Sequence, residues 1–237
     1  MITLVKKCRV RLQRSRDDHE RGMTLTELLI ASVVLMIVLT ASSSLYISAT
    51  KSMSMAGATN TNTANASNGM NELARVIRAG TSNPVVGQPL DDPAFLEAQP
   101  ESVILYSYVS LDPAVPKPVM THFYLNSQRQ LVEDRWPATG PLNGYWSFPS
   151  PFPGTAKYTP PQSSRILTTT VPLTGSAANL FTYYKDVQGK DATTILSSIV
   201  AVKITLTVQQ SLTNNSSPVT LENLVGIPNL NALENIL

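Results

Sequence analysis

Few of the 237 residues are of types that do chemistry, and their spacing decides what each can do. Cys8 is the sole cysteine, and the two histidines, His19 and His122, stand far apart. None falls at the spacing by which Cys and His ligate a metal. Asp91-Asp92 and Glu133-Asp134 are adjacent acidic pairs. Neighbours in a loop or strand do not converge on one site unaided, so both pairs read as solvated. His122, two residues from Tyr124, reads as a packing residue on a strand face. No phosphate-cradling Gly loop, paired-His motif or nucleophile elbow occurs. The expectation is therefore no catalytic residue, no metal and no cofactor: not an enzyme.

One acidic residue does stand out. Glu27 lies at the head of an apolar run, and no residue from Leu28 to Leu39 is charged. Met23–Ile47 would be about 37 Å long as a helix at ~1.5 Å per residue. That is enough to cross a hydrocarbon layer of about 30 Å. An ionised carboxylate inside such a layer costs roughly 2.5–3.5 kcal/mol, and less near a helix end. Glu27 either rests at headgroup level or waits for a cationic partner.

The elements around Glu27 set its orientation. Residues 1–22 carry seven basic and three acidic residues, a surplus of +4, leaving −2 for the remainder. The next basic residue is Lys51, so the basic head should stay in the cytoplasm and the body should lie outside. A slightly acidic body offers no broad footprint for nucleic acid. A basic head, an apolar run and the small residues Ala41-Ser42-Ser43-Ser44 also describe an ordinary secretory signal, which stays open as a rival.

Gly22, Met23, Thr24, Glu27, Leu28 and Leu29 together resemble the class III signal of type IV prepilins. That signal is a basic leader ending in Gly, then an apolar helix with Glu at its fifth position. The resemblance runs from Gly22 to about Leu39. It implies cutting by a prepilin peptidase between Gly22 and Met23, and methylation of the new Met23 amine. It also implies that Glu27 pairs with the Met23 amine of a neighbouring subunit and sets the register between subunits. Met23 departs from the commonest Phe, and Thr26 from the usual aliphatic residue.

Helical spacing of apolar residues continues through Leu45, Ala49, Met53, Ala56, Ala66, Met70, Leu73 and Ile77. Thr59-Asn60-Thr61-Asn62-Thr63 are poor helix formers, so packing must hold them helical or they fray. Gly80 and Pro84 end the pattern, predicting one helix over about 24–79. Residues 81–100 read as a Pro-punctuated loop. Strands are expected at 102–110, at 119–126 paired with 130–136 through Ser127-Gln128-Arg129, and, within a sheet of the last third, at 166–171 and at 179–185. In Val200, Val202, Ile204, Leu206 and Val208 every second residue is apolar, a half-buried strand that turns at 214–217 into a last strand near 219–225. Residues 137–161, dense in Pro, Gly and aromatics that should be buried, read as an ordered insertion that caps the sheet or carries a partner surface.

The segment from Leu180-Phe181-Thr182-Tyr183-Tyr184-Lys185-Asp186 to Gly226-Ile227-Pro228-Asn229 is similar to larger minor pilins of the PilW type and to PulJ-type pseudopilins. The expected fold is α+β, type IV pilin-like: a long N-terminal helix packed on an antiparallel β-sheet head. The expected parts are a cleaved leader (1–22), a transmembrane and filament-core helix (23–47), its amphipathic continuation (48–80) and an extracytoplasmic head (81–237). The resemblance implies an inner-membrane protein drawn into a pilus or a periplasmic pseudopilus. Its implied partners are prepilin peptidase, other pilins or pseudopilins, an assembly platform protein and ATPase, and membrane lipid before assembly. A membrane-anchored or secreted binding domain that never polymerises is the alternative from another class.

Overall fold

The computed structural model describes residues 23–109, 117–142, 145–168, 179–209 and 218–231. The leader with Gly22, Cys8 and His19, the turn at 214–217 and the ends of the strands predicted at 102–110 and 166–171 lie outside the described residues. The chain divides into two compact units between Ser54 and Met55.

Helix α1, Leu25–Arg78, has residues in both units. In the first unit it is long and apolar enough to cross a membrane, and none of its side chains is buried. The Ser32 hydroxyl donates to the Leu29 carbonyl at 2.8 Å, and that of Thr40 to Ile37 at 2.9 Å. Hydroxyls satisfied on their own helix lower the cost of placing them in an apolar layer. In the second unit the hydroxyls of Thr59, Thr61 and Thr63 donate in the same way to Met55, Gly57 and Thr59. The helix there buries Asn62, Ala66, Gly69, Met70, Leu73, Ala74, Val76 and Ile77.

The second unit is built on two principal antiparallel sheets. The first holds β1 (Phe95–Gln99), β2 (Ser102–Ser107), β3 (Val119–Leu125), β4 (Leu131–Pro137) and β7 (Ser163–Thr168), in that order. The second has β9 (Ala201–Val208) between β8 (Phe181–Tyr184) and β10 (Val219–Gly226). A hairpin of β5 (Thr139–Leu142) and β6 (Tyr145–Ser147) stands apart from both, and a short helix α2 (Pro228–Asn231) follows β10. The fold is α+β, a long apolar N-terminal helix followed by antiparallel sheets.

Three expectations change. Residues 95–99 form a strand where the Pro-rich stretch read as loop; its sequence, Phe-Leu-Glu-Ala-Gln, is weak in β-formers, and pairing with β2 holds it through a bulge. Strand β7 does not join the strands of the last third, because it pairs with β4. One expected sheet is thus two, tied where the Tyr183 hydroxyl donates to the Gln99 carbonyl at 2.8 Å.

The core lies between α1 and both sheets. Leu73 and Ile77 share one buried cluster with Val103, Leu105 and Phe123 of the first sheet and Val202, Ile204 and Leu206 of the second. The alternation predicted for β9 is what delivers the last three residues to one face. The opposite face of the first sheet carries a smaller cluster of Ile104, Tyr106, Met120 and Trp136. From the 137–161 insertion, Phe148 packs on Tyr106 with ring centres 4.7 Å apart. The Trp136 indole donates to the Thr159 carbonyl at 2.8 Å. The other aromatics were expected to bury, yet Tyr145, Phe152 and Tyr158 remain exposed.

Candidate functional site

The start of α1 is built by two side chains that cap each other. The Glu27 amide donates to the Thr24 hydroxyl oxygen at 3.3 Å. In return the Thr24 amide and the Thr24 hydroxyl both donate to Glu27 Oε2 at 2.9 Å. This reciprocal arrangement is a capping box, which satisfies backbone donors that the first helical turn leaves open. The spacing Thr24-x-x-Glu27 is its signature and was there to be read. The carboxylate thus has a local role as well as a charge, held at the end of the helix where the backbone dipole favours an anion.

The structure brings Glu27 to Thr24. It places Met23 immediately before the capped turn, exposed. The arrangement presents the Glu27 carboxylate and the Met23 backbone within a single helical turn. Both are accessible to a second molecule, and the apolar surface of residues 28–47 continues below them.

A second group of polar residues lies where α1 meets the first sheet. Glu72 Oε1 accepts from the Nη2 atoms of three arginines: Arg75 at 2.6 Å, Arg135 at 2.5 Å and Arg165 at 2.5 Å. Arg135 also binds Glu133 Oε1 at 2.6 Å, and Arg165 binds Glu133 Oε2. Burial alone would raise the Glu72 pKa, but the Arg75 hydrogen bond and the charges of Arg75, Arg165 and Arg135 outweigh it and hold the group below its ordinary value. This corrects the reading of Glu133-Asp134 as a solvated pair. Glu133 is 1% exposed and Asp134 8%, pointing to opposite faces of β4. The arginines that neutralise Glu133 are two and thirty-two residues away.

His122 stacks on Tyr124 with ring centres 4.4 Å apart. The Ser102 hydroxyl lies 2.9 Å from His122 Nε2 and donates to Glu97 Oε1 at 2.5 Å. Its one hydrogen is committed to the carboxylate, so the ring nitrogen donates to the serine oxygen. That order makes a hydrogen-bonded ladder across three strands, the reverse of a base drawing a proton from a nucleophile. Burial lowers the His122 pKa, partly opposed by the charges of Glu97 and Asp134. Burial and the neighbouring Asp134 raise that of Tyr124. Among the described residues, no group of three His, Cys, Asp or Glu could hold a metal ion.

Comparison with known families gives one finding. Residues 17–43 match the prokaryotic N-terminal methylation motif. The matched stretch includes Gly22, Met23, Thr24 and Glu27, and runs into the exposed apolar helix. It supports a type IV pilin-like precursor, of pilin or pseudopilin type, and with the fold it suggests a structural subunit. The motif implies processing by a prepilin peptidase and assembly with other pilins, and the apolar helix is consistent with anchoring in the inner membrane. No curated protein sequence matches the chain.

Proposed function

We propose that this chain is a minor subunit of a type IV pilus that helps start or cap the filament near its tip. Prepilin peptidase cuts between Gly22 and Met23, and the Met23 amine is then methylated. The subunit waits in the inner membrane, N-terminus in, until a platform protein and ATPase move it into the fibre. There Glu27 pairs with the Met23 amine of the adjoining subunit. Two unit charges about 4 Å apart attract by roughly 4 kcal/mol at an effective dielectric near 20, before desolvation is subtracted.

The observation that carries this reading is the position of the methylation motif directly over a capped carboxylate and an unburied apolar helix. The similarity of residues 180–229 to larger minor pilins favours a minor subunit. The same similarity extends to pseudopilins of type II secretion, and deleting the gene separates the two: loss of surface fibres marks the pilus, loss of secreted enzymes the pseudopilus. The primary test is the mass of the N-terminal peptide from membranes with and without prepilin peptidase. The expected peptide begins at methylated Met23 and disappears without the peptidase. A peptide beginning at Met1 in active protein, or one beginning near Ser44, overturns the reading.

A further inference from the structure

The outermost strands of the two sheets meet the helix differently. β7 ends the first sheet and β10 the second, while the other two edges, β1 and β8, are tied to each other at Gln99 and Tyr183. Along β7 the seam with α1 is closed by charge, where Glu72 holds Arg165 and Arg135 of the neighbouring β4. Along β10 it is open. Among the described residues, no hydrogen bond or ion pair joins Asn71, Ala74, Arg75 or Arg78 to β10. A groove of about 410 Å³ lies there, lined by those four residues with Ala79 and Asn223.

The wall of this groove is basic. Arg78 is exposed and makes no ion pair among the described residues. Arg75 belongs to the cluster of three arginines and two glutamates, which keeps a surplus of one positive charge. No carboxylate lines the groove. Glu222, the one acid of β10, pairs with Lys203 at 3.0 Å on the opposite face of the strand. On the face turned to the helix, Val219, Leu221 and Val225 join the core, and Asn223 interrupts that apolar row beside the arginines.

The strand itself is a plain edge. All eight residues of β10 pair with β9 without a bulge, and none is Pro or Lys. Among the described residues its outer side makes no backbone hydrogen bond. An edge without bulge, Pro or Lys is a template for one more strand.

We propose that this groove receives an extended segment of a partner protein, added to β10 as a further strand with a carboxylate turned onto Arg78. The backbone of β10 supplies hydrogen bonds to any extended segment, and the side chains that alternate toward the helix supply the selection. A basic side chain there meets Arg75 and Arg78 with like charge, which costs affinity. An acidic one meets a guanidinium that has no other carboxylate. The groove lies wholly in the second unit, so the inference stands whether or not the protein enters a filament.

The test uses the full isotope-labelled chain in detergent micelles and two blocked peptides as probes. One is Thr-Val-Thr-Glu-Thr-Val-Thr, and the other carries Lys in place of Glu. The acidic peptide is expected to shift the amide signals of β10 and the Arg78 side-chain signal saturably. The Lys peptide should bind at least tenfold more weakly. Arg78→Ala changes an exposed side chain, so the head stays folded, and it should weaken the acidic peptide at least tenfold as well. Equal binding of the two peptides, or of the acidic peptide to parent and variant, overturns the proposal. So does the lack of a saturable shift, or a shift confined to other strands. Nuclear Overhauser contacts between β10 amides and residues 232–237 of the peptide-free chain also overturn it, because the groove is then filled from within.

Discussion

Gly69 of the helix lies so close to Thr168 of β7 that a Cβ on the glycine would stand 2.7 Å from the threonine Cγ2, with a Leu206 methyl at 3.2 Å. Both sheets meet the helix at that point. Gly69→Val therefore forces buried neighbours aside and is expected to lose about 1–3 kcal/mol, the usual cost of overpacking. Gly57 has nothing within 4 Å of such a Cβ. Gly57→Ala should instead stabilise the helix by up to about 1 kcal/mol through propensity alone. Thermal melts of the two variants in one detergent check the opposite signs.

Two variants separate the observed cap of Glu27 from its proposed part in assembly. Gln also closes a capping box, so Glu27→Gln keeps the helix start and removes the charge. Thr24→Val removes the reciprocal hydroxyl and keeps the charge. Fibre incorporation, measured by shearing and immunoblot, should fall at least tenfold for Glu27→Gln and by much less for Thr24→Val. Hydrogen exchange at residues 25–27 should respond in the reverse order. Equal incorporation of Glu27→Gln and the parent would remove the charge from the mechanism.

Acid should destabilise the head in two stages. The His122 pKa is lowered from an ordinary 6.5, so the unfolded chain takes up this proton first and stability is lost as pH falls below about 6.5. The Glu72 pKa is also lowered, from 4.5. Its contribution is full above that value and is lost as pH falls further, through the folded-state value. Urea midpoints across pH 3–8 should show both stages, and His122→Phe should abolish the upper one alone.

Trp136 is 3% exposed and its indole holds the Thr159 carbonyl. Trp136→Ala is expected to cost about 3–5 kcal/mol. Trp136→Phe keeps most of the apolar volume and should cost about 1–2 kcal/mol through the lost hydrogen bond and reduced fill. In both, limited proteolysis should cut within 148–162 before any other part of the head.

Local patterns in the sequence carried local structure well. The helix expected over 24–79 is Leu25–Arg78, because apolar spacing and Gly80 act within a few turns. The β3–β4 hairpin formed as its turn residues foretold, with Leu125 paired to Leu131. Partner choice was not legible. Nothing near Ser163–Thr168 says that it pairs with β4, and Glu72 meets arginines 63 and 93 residues away. The buried Glu133 was read as solvated for that reason: Arg165, one of its two neutralising partners, comes from another strand 32 residues away, and only Arg135 was close in sequence. In the candidate site the methylation motif matched over residues 17–43 was legible by type and spacing, in Gly22-Met23, Glu27 and the apolar run after them. The capping box, visible as Thr-x-x-Glu, was overshadowed by the charge itself.

The Asn229 side chain donates to the Gly80 carbonyl at 3.2 Å across 149 residues, and Ile227 shares the core with Ile77. At about 5–20 residues per second, a ribosome needs roughly 7–30 s to travel that distance. Throughout that interval the inner side of the helix end has no closing strand, and Val76, Ile77 and Leu105 stay open to water or to a chaperone. A nascent chain paused before β10 would therefore be a substrate for proteases, and synthesis speed over the last third becomes a determinant of yield.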